Sequence, residues 1–291
     1  MSENNAIIVE AWNTILFEKF SRFKHLLIAG LSSHSDEALA RHPHPPGARV
    51  LDVGCGFGDS TIRIAQTVGP KGEAVGVDCA ENFVEAARKD AKEAGVGNAS
   101  FFVADVQSES LRGPYDYAFA RFGTMFFMSP GAAMKNIRKS LAPGGEFTMI
   151  VWRKKEANPW LHDVELRVKE IVPVVSHEET DQVHCGPGPF SMAGADLVSD
   201  MLTGVGFDRV TFERFDSDIC AGKDLAEAID FAMTLGPAGE IIRLAGAEGE
   251  KRKGEVVKAL EEVLAPYARP DGSIWGPSST WFVTARNPAP R

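Results

Sequence analysis

Along this chain, short apolar runs alternate with stretches whose apolar residues recur every three or four positions. The first kind fits a strand buried on both faces, the second an amphipathic helix. The two meet between Arg49 and Ala65, in RVLDVGCGFGDSTIRIA. Val50, Leu51 and Val53 supply a buried strand. Gly54, Gly56 and Gly58 allow a turn that few other residues tolerate. From Asp59 to Val68, Ile62, Ile64, Ala65 and Val68 fit one helix face. Strand, glycine turn and helix leave backbone N–H groups at a helix start, facing the crevice at the strand's carboxyl end.

The alternation continues. Ala74 to Val77 predicts a strand ending in Asp78, and Glu81 to Glu93 a helix with Phe83, Ala86 and Ala87 on its apolar side. Ser100 to Ala104 reads as a strand closed by Asp105, and Tyr115 to Ala120 as the next. A helix from Gly131 to Leu141, a turn at Pro143-Gly144-Gly145 and a strand from Glu146 to Trp152 follow. Beyond Trp152 the pattern loosens. Asn158-Pro159-Trp160 starts a helix to Val172, and Pro173 to Ser191, rich in Pro, Gly and polar residues, predicts a lid. A helix from Gly194 to Leu202, a strand from Asp208 to Phe215, inserted helices from Gly222 to Pro266 and a last strand from Thr280 to Arg286 complete the chain. At the other end, Ile8, Trp12, Ile15, Leu16 and Phe20 predict one or two helices over Asn5 to Leu31. His42-Pro43-His44-Pro45-Pro46-Gly47 reads as a connector with solvated histidines. Strands alternating with helices predict a doubly wound α/β fold.

The glycine spacing limits the ligand. A dinucleotide fingerprint places glycine at the first, third and sixth positions. Counted from Gly54, the sixth position is Asp59, which would crowd and repel a pyrophosphate. Asp78, at the end of the second strand, can accept hydrogen bonds from both hydroxyls of a ribose. The spacing therefore points to a nucleoside without a phosphate bridge.

In these motifs the chain resembles the class I S-adenosylmethionine-dependent methyltransferases. Within them it is more similar to the branch that methylates ubiquinone and menaquinone precursors, sterols and natural-product scaffolds. VLDVGCGFG matches the family's first motif, GVDCAENFVEAAR its second, FFVADVQ its third, and LAPGGEFTMIVW the approach to its fifth strand. WFVTARNP resembles its last strand, so the likeness covers nearly the whole chain. The resemblance implies a Rossmann-like, mostly parallel seven-stranded sheet with an antiparallel last strand and a helical cap. It implies S-adenosyl-L-methionine as cofactor, held by Asp52, Gly54, Cys55, Gly56, Gly58, Ser60 and Thr61 of the first motif. Asp78, as the ribose acid, joins Cys79 and Phe83, and Asp105, as the acceptor for the adenine amino group, joins Ala104 and Val106. Arg121 and Phe122 fall beside the methionine part, and Trp12, Phe126, Trp160 and His184 near the methyl acceptor. The corresponding division is a cap over residues 1–45, a cofactor-binding core over 46–155, a lid over 156–194, and the rest of the core over 195–291 with an insert at 222–270.

Composition narrows the partners. A net charge of -9 argues against nucleic acid, which favours a basic face. No apolar stretch is long enough for stable membrane insertion, and the N-terminus lacks a secretory pattern. Cys55, Cys79, Cys185 and Cys220 lack paired metal spacing, so a reduced cytoplasmic protein without a metal site is expected. A homodimer is compatible with the chain but demanded by nothing in it. The partner is a small-molecule acceptor, apolar or ring-containing in view of Phe122 to Met128.

Methyl transfer to a hydroxyl or ammonium nucleophile requires loss of a proton. His162 is the candidate proton acceptor, with Glu165 one turn later and His25 and His184 as alternatives. Arg153, Lys154 and Lys155 read as a solvated charge run, or as an attractor for an acidic acceptor. Two other functions share these features: a nicotinamide-dependent oxidoreductase and a non-catalytic adenosylmethionine-binding protein. Asp59 and the lack of an evident catalytic Tyr/Lys pair count against the first.

Overall fold

The structure is a computed structural model and describes residues 3–172 and 187–289. Its strands are β1 (Arg49–Val53), β2 (Glu73–Asp78), β3 (Ala99–Val103), β4 (Tyr115–Arg121), β5 (Leu141–Trp152), β6 (Asp208–Gly222) and β7 (Ile274–Arg286). They form one seven-stranded sheet in the order β3-β2-β1-β4-β5-β7-β6. β7 is antiparallel to both of its neighbours, and the other strands share one direction. From β1 the chain winds outward to β2 and β3, then returns to β4 on the other side. Such a reversal opens a crevice outside the carboxyl ends of the two central strands.

Side chains alternate between the two faces of a strand, so the run Val50–Val53 serves two cores. Val50 joins Phe119 and Ile150 beneath α3 (Ser32–Arg41) and α4 (Asp59–Val68). Leu51 and Val53 face the larger core, which takes in α6 (Pro130–Ser140), α7 (Pro159–Ile171) and α8 (Ala195–Gly204). α5 (Glu81–Glu93) packs through Val84 and Ala87 on Phe101. The insert before β7 consists of α9 (Leu225–Thr234), α10 (Pro237–Leu244) and α11 (Gly246–Leu264). Among the described residues, no helix is long and apolar enough to cross a membrane.

The N-terminal segment departs from a continuous helix. α1 (Glu3–Asn13) stops at Thr14, whose φ of -123° and ψ of -98° are not helical, and α2 (Ile15–Arg22) starts in a new phase. Ile15, which continues the period of Ile8 and Trp12, is therefore 44% exposed. A π-helical segment (Leu26–Gly30) and α3 follow. His44 is not solvated. It is buried beside the rings of Tyr117 and Phe119, and burial lowers its pKa to about 4. β6 and β7 are longer than their apolar runs, because Asp216, Ser217 and Asp218 pair along an edge strand where polar side chains reach water. β5 opens at Leu141 rather than Glu146, since Leu141 already pairs with Tyr115. Residues 173–186 of the expected lid, with His184 and Cys185, lie outside the described residues.

Candidate active site

The glycine turn is built from β1 outward. The N–H groups of Gly54 and Cys55 donate to the Val77 carbonyl at 2.8 and 3.0 Å, tying the turn to β2. Gly54, Gly56 and Gly58 have φ values of 65°, 52° and 77°, where a side chain is strained. Gly54 also lies against Gly123 after β4, so that a Cβ at Gly54 would stand 3.3 Å from the Gly123 Cα. Asp52 sits below the turn. Its Oδ2 accepts the hydroxyls of Ser60 at 2.7 Å and Thr61 at 2.6 Å, which pins the first turn of α4. Burial raises the Asp52 pKa to about 6, against the pull of those two hydroxyls.

The crevice opens above the turn. Asp78 lines it, with Oδ2 accepting the Gly56 N–H at 3.0 Å and Oδ1 the Ala80 N–H at 3.1 Å. Burial pushes the Asp78 carboxyl upward while these N–H groups oppose the shift. Asp105 lines the next stretch, and its Oδ1 accepts the backbone and side-chain N–H groups of Gln107. Phe83, Cys79 and Val106 add apolar surface to the same lining. On the far side stand Arg121, Phe122, Gly123, Phe126 and Phe127. The Phe122 backbone has φ of 56°, and its ring stacks on Trp152 at 4.3 Å. Arg121 donates to Asp59 Oδ1 at 2.7 Å. α1 covers the crevice with Asn5, Ile8, Val9 and Trp12, and Phe20, Leu27, Ile28 and Leu31 extend that cover.

A model of the methyltransferase domain matches residues 44–184, the segment that contains this turn and both crevice carboxylates. The chain belongs to the S-adenosylmethionine-dependent methyltransferases. The methyltransferase is 26% identical over 182 residues to a demethylmenaquinone methyltransferase of Staphylococcus aureus, covering 60% of this chain and 74% of that one. Its fold is similar to the YcgJ protein of Bacillus subtilis, with a TM-score of 0.53, 16% identity, and coverage of 89% and 100% of the two chains. It is also similar to a solved Bacillus halodurans structure, with a TM-score of 0.55, 14% identity, and coverage of 87% and 98%.

S-adenosylmethionine is the cofactor of this methyltransferase, and the crevice chemistry fits it. Two carboxylates offer acceptors to hydroxyl and amino groups, and Phe83 and Val106 offer apolar surface to a purine. Among the described lining residues the one cation is Arg121, already engaged by Asp59 at the start of α4, so a pyrophosphate meets no free positive partner there. When bound, the cofactor supplies an electrophilic methyl carbon on a sulfonium.

The structure brings together Gly54, Cys55, Gly56, Ser60, Asp78, Cys79, Phe83, Asp105, Val106, Arg121, Phe122, Trp12 and Phe126 around the crevice. Asp52 and Thr61 support it from below, because their side chains bond to each other. Gly58 lies over Ala87 and Phe101, and Ala104 is buried in the larger core. Trp160 is buried against Trp152 and Phe231 rather than exposed to the crevice. His162 shares α7, which packs on α10 and α11, and is not a crevice residue. His25 pairs with Glu227 at 3.1 Å, and Glu165 binds Lys155 and Lys169, which lower its pKa against burial. The motifs did not assign Asn5, Gln107 or Phe57 to the crevice, and of the expected cap over residues 1–45 only Trp12 was assigned to it, not Ile8, Val9, Phe20, Leu27, Ile28 or Leu31. The available signal was the spacing Asn5, Ile8, Val9, Trp12, one face of a helix that ends at Asn13.

Proposed function

We propose that the methyltransferase methylates a small, apolar or ring-containing acceptor at an oxygen, nitrogen or activated carbon. The observation that carries this reading is the aromatic lining: Trp12, Phe122, Phe126 and Phe127 line the crevice that also holds the Arg121–Asp59 pair. Burying a flat apolar molecule there gives favourable ring contacts without unpaired polar groups. The demethylmenaquinone relative is named for a ring-bearing substrate, which agrees with this chemistry.

In this reading Asp78 binds the ribose hydroxyls, Asp105 accepts from the adenine amino group, and the N–H groups of the Gly54–Gly58 turn face the methionine end. The aromatic wall excludes water and orients the acceptor. The described residues that line the crevice include no histidine, so the reading favours an acceptor that is already acidic, such as a phenol or activated carbon, over one needing a histidine base. The unpaired thiols of Cys55, Cys79 and Cys220 suit a cytoplasmic setting. The test is a mass-spectrometric screen of metabolites and macromolecules with isotopically labelled cofactor. Labelled small ring compounds are expected. Label found only in protein or nucleic acid overturns the reading.

A further inference from the structure

α1 covers the crevice with one face, yet its attachments differ in kind from those of the segment that follows. Residues 22–25 are fixed on both flanks by polar side chains: Lys24 and Arg22 form ion pairs with Asp90 of α5 and Asp230 of α9, and His25 bonds to Glu227 of α9. Among the described residues no ion pair reaches α1. Near its outer end Asn5 joins it to Asp105 and Gln107. Asn5 Nδ2 donates to Asp105 Oδ2 at 2.9 Å, and Gln107 Nε2 donates to Asn5 Oδ1 at 2.8 Å. At its inner end the chain leaves helical geometry at Thr14, beside the bonds between Asn13 and Asn82.

The Asp105 carboxylate is fully subscribed. Oδ2 accepts from Asn5 and Ser108, and Oδ1 from the backbone and side chain of Gln107. A carboxylate has about four acceptor positions. A further donor must therefore displace one of these, and Asn5 alone belongs to a separate covering helix.

We propose that α1 is a flap over the cofactor crevice, hinged at Thr14, with Asn5 as its latch on Asp105. The adenine amino group and the Asn5 amide compete for Asp105 Oδ2, so cofactor uptake releases the latch. This rests on the reading that Asp105 receives the adenine amino group. The ion pairs of residues 22–25 keep the base of the flap in place while α1 lifts. Asn5 is a positioning residue, acting on the cofactor through Asp105.

The test combines stopped-flow binding of S-adenosylhomocysteine with amide hydrogen exchange, on the full chain. Asn5→Ala removes the latch, and Asn5→Asp sets a second carboxylate against Asp105. Both variants should speed association by at least about tenfold, since the bond from Asn5 to the Asp105 carboxylate is charge-assisted. Both should speed exchange over residues 4–13 and leave residues 15–30 unchanged. Association that is unchanged or slower in Asn5→Ala overturns the latch. If the wild-type protein takes up no S-adenosylhomocysteine, the cofactor assignment of the crevice fails, and the exchange comparison alone decides the flap: equal protection of 4–13 in wild type and variants refutes it.

Discussion

Asp59 and Arg121 meet across the crevice, with Asp59 Oδ1 2.7 Å from Arg121 Nη2 and their side chains 22% and 11% exposed. One opens α4 and the other closes β4, so the pair ties together the two elements flanking the switch point. Partial burial makes the pair worth more than a surface ion pair but less than a fully dry one. A double-mutant cycle of Asp59→Asn and Arg121→Met in urea should give a coupling of about 1–2 kcal/mol. A coupling near zero contradicts this role.

Acid should unfold the protein through its buried histidines. His34 is fully buried, with Nε2 2.8 Å from Ser278 Oγ and Nδ1 3.0 Å from Thr280 Oγ1, and burial lowers its pKa to about 4. His44 is lowered to about 4 for the same chief reason. Each is kept neutral by folding, so its stability contribution is complete above the unfolded pKa of about 6.5 and is lost as pH falls from there toward 4. The full effect is up to about 3 kcal/mol per histidine. Asp52 acts in the opposite sense. Its folded pKa of about 6 lies above the unfolded value of 3.8, so it relieves the fold as pH drops between those values. Urea unfolding from pH 7 to 4 should therefore show a shallower acid loss in His34→Gln and a steeper one in Asp52→Asn. Parallel curves for all three proteins contradict the assignment.

Two glycines in left-handed turns should respond differently to alanine. Gly58 has φ of 77°, and a Cβ there would stand 2.7 Å from the Ala87 Cβ and 2.8 Å from Phe101 Cε1. Gly95 has φ of 68° just past α5, where the Val96 N–H donates back to the Ala91 carbonyl, and nothing stands within 4 Å of a Cβ there. Gly95→Ala should cost only the strain of a left-handed alanine, about 1–2 kcal/mol. Gly58→Ala should cost roughly 1–3 kcal/mol more through overpacking between α4 and α5. Equal losses in denaturant titrations refute the close packing at Gly58.

The strand, glycine turn and helix around Gly54 were legible because local rules and tertiary burial agree there. Val50, Leu51 and Val53 are all fully buried, so an uninterrupted apolar run marked them. The carboxylates at strand ends, Asp78 and Asp105, were legible through position alone. The cover was harder to read, since its helical phase resets at Thr14 and no sequence rule places that break. Trp160 and His162 misled for a different reason. They follow the fifth strand in sequence, but α7 carries them toward the insert helices, a contact made with residues far along the chain. His44 was hidden by its Pro-rich neighbours, whose loop folds inward onto Tyr117. Asp52 carries the motif's acid yet serves the turn from beneath, a distinction that only side-chain direction reveals.

The central claim is that a phosphate-free adenosine ligand sits over the Gly54–Gly58 turn with Asp78 on its ribose. Titration calorimetry with S-adenosylhomocysteine and with NAD, on the wild type and Asp78→Ala, tests it directly. The account predicts one-to-one uptake of S-adenosylhomocysteine, a loss of at least about tenfold in affinity for Asp78→Ala from the missing charged hydrogen bonds, and no uptake of NAD. Binding of NAD, or an affinity for S-adenosylhomocysteine that Asp78→Ala leaves unchanged, would contradict it.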